Sequence, residues 1–114
     1  PEFFHLRKWI LLQQLFAQYS FNSRAADWLD VGCGKAELLR LGKASFRQVR
    51  GCDPSAGMLN ETGPVDVIQQ TDPKRLPFPD ASFDLVTAVC VYHHVPPADR
   101  AALTLEVKRT LRPG

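Results

Sequence analysis

The chain has 114 residues, with 14 Lys and Arg against 12 Asp and Glu, for a formal net charge of +2. At 45% hydrophobic and 23% charged it is a globular chain, not a disordered one, and its length suits one domain spanning residues 1–114 that buries about two thirds of its unfolded surface. A charge this near neutral argues for no polyanionic partner, and no apolar run approaches the ~20 residues of a membrane span.

Residues 4–19 are predicted to be helical. Trp9, Leu12, Leu15, Phe16 and Tyr19 fall on one face, Arg7, Gln14 and Gln18 form a narrow polar stripe, and Leu6 and Ile10 add apolar surface on another side. A helix this apolar is expected to pack on more than one neighbour or on a partner. Residues 28–31 read as a short strand running into Gly32-Cys33-Gly34, and 35–41 as a helix stopped by Gly42. A second strand over 48–52 meets Asp53-Pro54, where Ser55 is placed to cap a short helix through Leu59. Gly63-Pro64 turns the chain into a third strand, 65–69, and the prolines of 72–79 require a loop. Residues 83–92, apolar except chiefly for Thr87, read as a strand buried on both faces. Pro96-Pro97 opens a last helix carrying Leu103, Val107 and Leu111, which Arg112-Pro113-Gly114 ends. Strands separated by helices imply a parallel α/β sheet whose ligand sits beyond the carboxyl ends of the strands.

Cys33, Cys52 and Cys90 are an odd number of cysteines with no Cys-x-x-Cys and no His at zinc spacing. This favours a reducing, cytoplasmic setting and no metal. There is no secretory signal and no initiator Met, so Pro1-Glu2-Phe3 reads as an internal start or an appended tail.

The most informative stretch is Leu29-Asp30-Val31-Gly32-Cys33-Gly34-Lys35-Ala36, a strand entering Gly-x-Gly and then a helix. Glycines there permit a tight turn and close approach of a ligand to backbone. A Walker A loop needs Gly where Leu29 stands and Ser or Thr where Ala36 stands. A dinucleotide fingerprint needs Gly or Ala where Glu37 stands, and that carboxylate would oppose a pyrophosphate at a helix start. What remains, with Asp30 before the loop, suits a nucleoside ligand that lacks phosphate and carries a cationic group. Asp53, 19 residues after Gly34 at the end of the next strand, is placed to accept both hydroxyls of a ribose. Read alone, Asp53-Pro54-Ser55 serves equally as a helix start.

Four segments occur in order: Trp28-Leu29-Asp30-Val31-Gly32-Cys33-Gly34, Gly51-Cys52-Asp53-Pro54-Ser55, Leu76-Pro77-Phe78-Pro79-Asp80-Ala81-Ser82-Phe83-Asp84-Leu85-Val86, and Leu111-Arg112-Pro113-Gly114. Together they resemble the class I S-adenosylmethionine-dependent methyltransferases, in particular the small-molecule group with the Leu-Pro-Phe-x-Asp-x-Ser-Phe-Asp signature. The resemblance spans about residues 28–114. It implies a Rossmann-like parallel sheet with flanking helices, here the partial order 3-2-1-4 without the last strands of the fold. It also implies S-adenosylmethionine as cofactor and S-adenosylhomocysteine as product. By resemblance Asp30 sits near the methionine ammonium, with Gly32, Cys33 and Gly34 beside it, Asp53 holds the ribose, and Pro54 also belongs to the cofactor site. Met58 lies near the adenine, Asp72 accepts the adenine amino group with Pro73 beside the ring, and Cys90 passes near the methionine end. Where the family has Gly-Thr-Gly this chain has Gly34-Lys35-Ala36, tolerable because Ala is small, and the short helix after Asp53 leaves the adenine wall incomplete.

Family members continue into further strands, the next pairing beside the fourth. With that neighbour absent, the fourth strand is an apolar edge, expected to be covered by self-association or by the missing C-terminal half. His93 and His94 stand where a general base could act, and a structural role is favoured for them. Asp80 and Asp84 are expected to shape the loop before the fourth strand. Arg40, Lys43, Arg47 and Arg50 read as a solvated helix face, too sparse for a nucleic-acid surface.

The expected function is methyl transfer from S-adenosylmethionine to a small-molecule acceptor by in-line displacement. The alternative is a truncated or degenerate module that binds the cofactor weakly or recognises a partner without catalysis. A nicotinamide oxidoreductase comes third, opposed by Glu37.

Overall fold

The computed structural model describes the backbone of residues 2–88 and 95–113 and the side chains of 5–57, 60–88 and 95–113. Four parallel strands, β1 (Asp27–Val31), β2 (Gln48–Asp53), β3 (Asp66–Gln69) and β4 (Leu85–Thr87), form one sheet in the order β3-β2-β1-β4. This is the order expected of the partial Rossmann-like sheet. The helices are α1 (Glu2–Gln18), α2 (Glu37–Gly42) and α3 (Pro97–Thr110). Among the described residues no helix is long and apolar enough to cross a membrane.

Alternation along the strands divides the core into two layers. Trp28 and Val49, directly paired across β1 and β2, join Trp9, Leu39 and Phe46 in one layer with α1 and α2. Leu29, Val31 and Cys52 face the other layer, with Leu76, Phe78 and Phe83 of the long loop and Leu103 of α3. β1 is buried at every position, as a central parallel strand must be.

The amino ends of the strands carry an ionic clamp. Arg47 donates to both oxygens of Asp27 at 2.9 and 2.6 Å, while Arg112 reaches Asp27 at 2.9 Å and Asp84 at 2.7 Å. Both arginines hold the buried Asp27 carboxyl below its usual range, with the Arg47 hydrogen bond the largest cause. The 76–83 loop is fastened to α3. Glu106 accepts the Leu76 N–H at 2.9 Å, and Arg109 donates to the Leu76 carbonyl at 3.1 Å and to Asp80 at 2.8 Å. Asp80 and Asp84 thus shape this segment, as expected.

Several expectations are corrected. On α1 Trp9 is buried and Leu12 and Phe16 half-buried, but Leu15 and Tyr19 are exposed along with Leu6, Ile10 and Leu11. The helix does pack on more than one neighbour, α2, Trp28 and Phe46, through Trp9 and Phe16, and Tyr19 lies past its end. Gly42 does more than end a helix: a Cβ there would stand 2.7 Å from Trp9 and 2.8 Å from Trp28, so its bareness lets two indoles stack 6.0 Å apart. Among the described residues the fourth strand pairs over Leu85–Thr87, while residues 89–92 of the expected strand lie outside them, and Leu85 and Val86 are half-buried because β4 is the sheet edge among the described residues. Phe83 instead bridges to Leu111. Arg47 lies beyond the helix and Arg50 within β2, and the basic stretch is engaged: Arg50 with Asp66 at 2.9 Å, Lys43 with the Pro64 carbonyl at 3.0 Å, and Arg40 with the Lys35 carbonyl.

Candidate functional site

The carboxyl ends of β1 and β2 converge on the turn Gly32-Cys33-Gly34. Gly32 and Gly34 take φ of +70° and +56°, the left-handed region that glycine occupies without steric penalty. Ala36, just before α2, is also left-handed at φ +62° and fully buried. The departure from a family Gly here is therefore one of backbone conformation, not of size, and it delays the helix from the predicted Lys35 to Glu37.

The turn's amides are already engaged. Gly32 and Cys33 donate to the Cys52 carbonyl at 2.8 and 3.1 Å, and Ala36 donates to the Cys33 carbonyl at 2.9 Å. Gly34 donates to Asp53 Oδ2 at 2.8 Å. A phosphate cradle needs free backbone N–H groups pointing at the anion. This turn offers instead an open glycine surface, since nothing lies within 4 Å of where a Gly34 Cβ would stand. The exclusion of phosphate ligands thus gains a structural reason.

Asp53 is buried, and Asp53 Oδ1 accepts the Ser55 N–H at 2.9 Å. The expected cap by the Ser55 hydroxyl is not made, and Asp53 itself starts the following 3₁₀ turn, Ala56–Glu61. The turn-start reading of Asp53 therefore holds. Two of about four acceptor positions serve the backbone, and two remain.

Asp30 is buried, and Oδ1 accepts the Thr87 hydroxyl proton at 2.7 Å. Burial pushes its carboxyl up to about 7, Thr87 opposes, Lys8 of α1 opposes more weakly, and Asp53 adds to the rise. Cys33 packs behind the turn against Gly51, where a Cβ would come within 2.5 Å of its sulfur. Burial raises the Cys33 thiol far above its usual range and Cys52 to about 12, so both stay neutral.

Pro54 and Pro73 line one slot of about 410 Å³ with Gln69, Gln70, Val95 and Leu103. Asp72 stands on the adjacent cleft with Arg75 and Arg109, and its Oδ1 accepts the Lys74 N–H at 2.9 Å. Met58 lies in the 3₁₀ turn, its side chain outside the described residues, and Cys90, His93 and His94 also lie outside them.

The structure adds two residues that the sequence passed over. Thr87 links Trp28 to Asp30, and the buried Gln70 donates to the carbonyls of Asp72 and Arg75 at 3.1 and 3.2 Å, fixing the loop after β3. A hydroxyl interrupting an apolar strand was the available signal for Thr87.

Residues 29–114 match the family model described as a methyltransferase domain. The chain belongs to that family. It is a class I S-adenosylmethionine-dependent methyltransferase domain. It is 37% identical over 102 residues to the 27-O-demethylrifamycin SV methyltransferase of Amycolatopsis mediterranei (strain S699), covering 80% of this chain and 37% of that one. An S-adenosylmethionine-dependent methyltransferase from Mesorhizobium loti superposes with a TM-score of 0.71 at 28% identity, over 82% of this chain and 45% of that one. The PH0226 protein of Pyrococcus horikoshii OT3 gives 0.74 at 27% identity, over 89% and 50%. The domain spans half or less of the length of the curated relatives it matches. S-adenosylmethionine is the cofactor of this family, and the residues present fit a cationic nucleoside without phosphate: the buried carboxylates Asp30 and Asp53 stand beside a glycine turn that is open and offers no phosphate cradle.

Proposed function

We propose that this domain holds S-adenosylmethionine for methyl transfer to a small-molecule acceptor by in-line displacement. When bound, that cofactor supplies an electrophilic methyl on a sulfonium that is a good leaving group. The protein's part is then chiefly alignment, a contribution of roughly 7 kcal/mol or more when the reacting atoms are well oriented. Asp53 accepts the ribose hydroxyls with its two remaining acceptor positions. Asp30 faces the methionine ammonium, with Gly32, Cys33 and Gly34 forming the surface beneath. Pro54 and Pro73 flank the adenine, Asp72 accepts its amino group, and Met58 and Cys90 complete the adenine and methionine ends. The small-molecule acceptor rests on the signature at residues 76–86 and on the relative whose name carries 27-O-demethylrifamycin SV. The same reading assigns the outer edge of β4 to a further strand or a second chain.

The observation that carries the proposal is the Asp53 carboxylate bridging the glycine turn at 2.8 Å and its own turn at 2.9 Å. Calorimetry tests it. Micromolar binding of S-adenosylmethionine that Asp53→Ala removes is the expected result. Absence of binding at millimolar cofactor would overturn it and leave the interaction module as the remaining reading.

A further inference from the structure

Thr87 is the last residue of β4, paired with Asp30, and its side chain lies between two groups of β1. Its Oγ1 accepts the Trp28 indole N–H at 3.0 Å and donates to Asp30 Oδ1 at 2.7 Å, and all three side chains are buried. A hydroxyl has one proton. Because the indole can only donate, it fills an acceptor position of Oγ1 and turns that proton onto Asp30. Trp28 is itself fixed by its stack on Trp9 of α1, 6.0 Å away at 18° between planes. The chain Trp28, Thr87, Asp30 is therefore directional and anchored at its far end.

We propose that Thr87 is a positioning residue for the cofactor's aminoacyl end: oriented by Trp28, its hydroxyl holds the Asp30 carboxylate in one rotamer and in its charged form beside the glycine turn. This rests on the placement of S-adenosylmethionine proposed above. The hydroxyl is the group that favours the charged form most strongly, because burial alone drives Asp30 towards neutrality. The other charged groups acting on Asp30 are Lys8 from α1, which favours its ionisation, and Asp53 from β2, which opposes it. Cys33 and Cys52 lie close by as neutral thiols. A neutral Asp30 cannot attract an ammonium, so loss of the Thr87 proton should weaken binding most where ionisation is incomplete.

The test is calorimetric affinity for S-adenosylhomocysteine from pH 6 to 9, for the wild type, Thr87→Val and Thr87→Ser. The wild type should lose affinity below a midpoint near pH 7. Thr87→Val should move that midpoint up by about one unit, giving roughly fivefold weaker binding at pH 7 and almost none of that loss at pH 9. Thr87→Ser, which keeps the hydroxyl, should restore the profile. A uniform loss at every pH, or an unmoved midpoint, would refute the positioning role while leaving the cofactor site standing; a wild type that binds nothing would refute the site itself. A second measurement needs no variant at Thr87. Tryptophan emission of the ligand-free wild type should titrate at the same midpoint, through the Trp28 hydrogen bond, and Asp30→Asn should abolish that titration. Emission without a step between pH 6 and 9 would overturn the proposal.

Discussion

Asp30→Asn should separate stability from function. In the native fold the Asp30 carboxyl is raised from an ordinary value of 3.8 to about 7, chiefly by desolvation. Between those values the folded chain holds a proton that the unfolded chain has lost, so stability falls as pH rises. Above pH 7 the full difference applies, on the order of 4 kcal/mol against folding. Asparagine has no charge to bury and can still accept the Thr87 hydroxyl proton, but its amide adds buried donors at a cost of about 1–3 kcal/mol. The pH dependence is therefore more telling than the absolute stability. Urea unfolding of both proteins at pH 5 and pH 8.5 gives the comparison, because every other group titrates alike in each and cancels. Wild-type stability should fall by roughly 3 kcal/mol relative to the variant over that interval. Cofactor binding should meanwhile be lost in the variant. A stability difference between the two proteins that does not change with pH would refute the reasoning.

Gly42→Ala should cost about 1–3 kcal/mol by pushing the Trp9–Trp28 stack apart, seen as a lower urea midpoint and an altered near-ultraviolet circular dichroism of the indoles. Arg112→Ala should cost about 1–3 kcal/mol by removing charged hydrogen bonds from Asp27 and Asp84, with cofactor affinity unchanged because the clamp lies at the far end of the strands. Glu106 is held at about 2 chiefly by Arg109, and Asp27 is also depressed, so their contribution is complete above their ordinary values of 4.5 and 3.8 and is lost as pH falls towards 2. Arg109→Met should flatten the acid-unfolding slope in that window. The half-buried Leu85 and Val86 at the β4 edge predict concentration-dependent association in light scattering, and a stable monomer would contradict it.

The sheet order and the convergence of Asp53 on Gly34 were legible in the sequence, because strand-turn-helix punctuation and an acid at the next strand end follow local rules. The burial of α1 was not. Leu15 and Tyr19 share a helical face with Trp9, yet how much of that face is covered is a tertiary fact, and here the covered part is Trp9, Leu12 and Phe16, with Gly42 making room for the Trp9–Trp28 stack. Ala36 shows a different limit: its small side chain was legible, while its φ of +62° is set by how the turn must enter α2. Periodicity marked Thr87 as an interruption of an apolar strand but could not show that its neighbours across β1 would be an indole donor and a carboxylate acceptor.

Two aspartates three residues apart on β1 make the remaining point. Asp27 and Asp30 are equally hidden, at 5% and 6% exposure. Their protonation behaviour runs in opposite directions, because two arginines surround Asp27 while Asp30 receives a hydroxyl and a more distant ammonium. A carboxylate whose cation comes from its own chain has no need of a ligand. One buried without a guanidinium carries a folding penalty above its raised pKa that a bound cation can offset. On the proposed placement of the cofactor, the strand divides the two roles by its direction: the amino end is closed by internal ion pairs, and the carboxyl end leaves Asp30 for the ligand's ammonium. On this argument, saturating S-adenosylmethionine should raise the unfolding temperature of the wild type more steeply above pH 7 than below it. The same ligand should leave Asp30→Asn unmoved at both, and an equal stabilisation of the two proteins would show that Asp30 does not meet the ammonium.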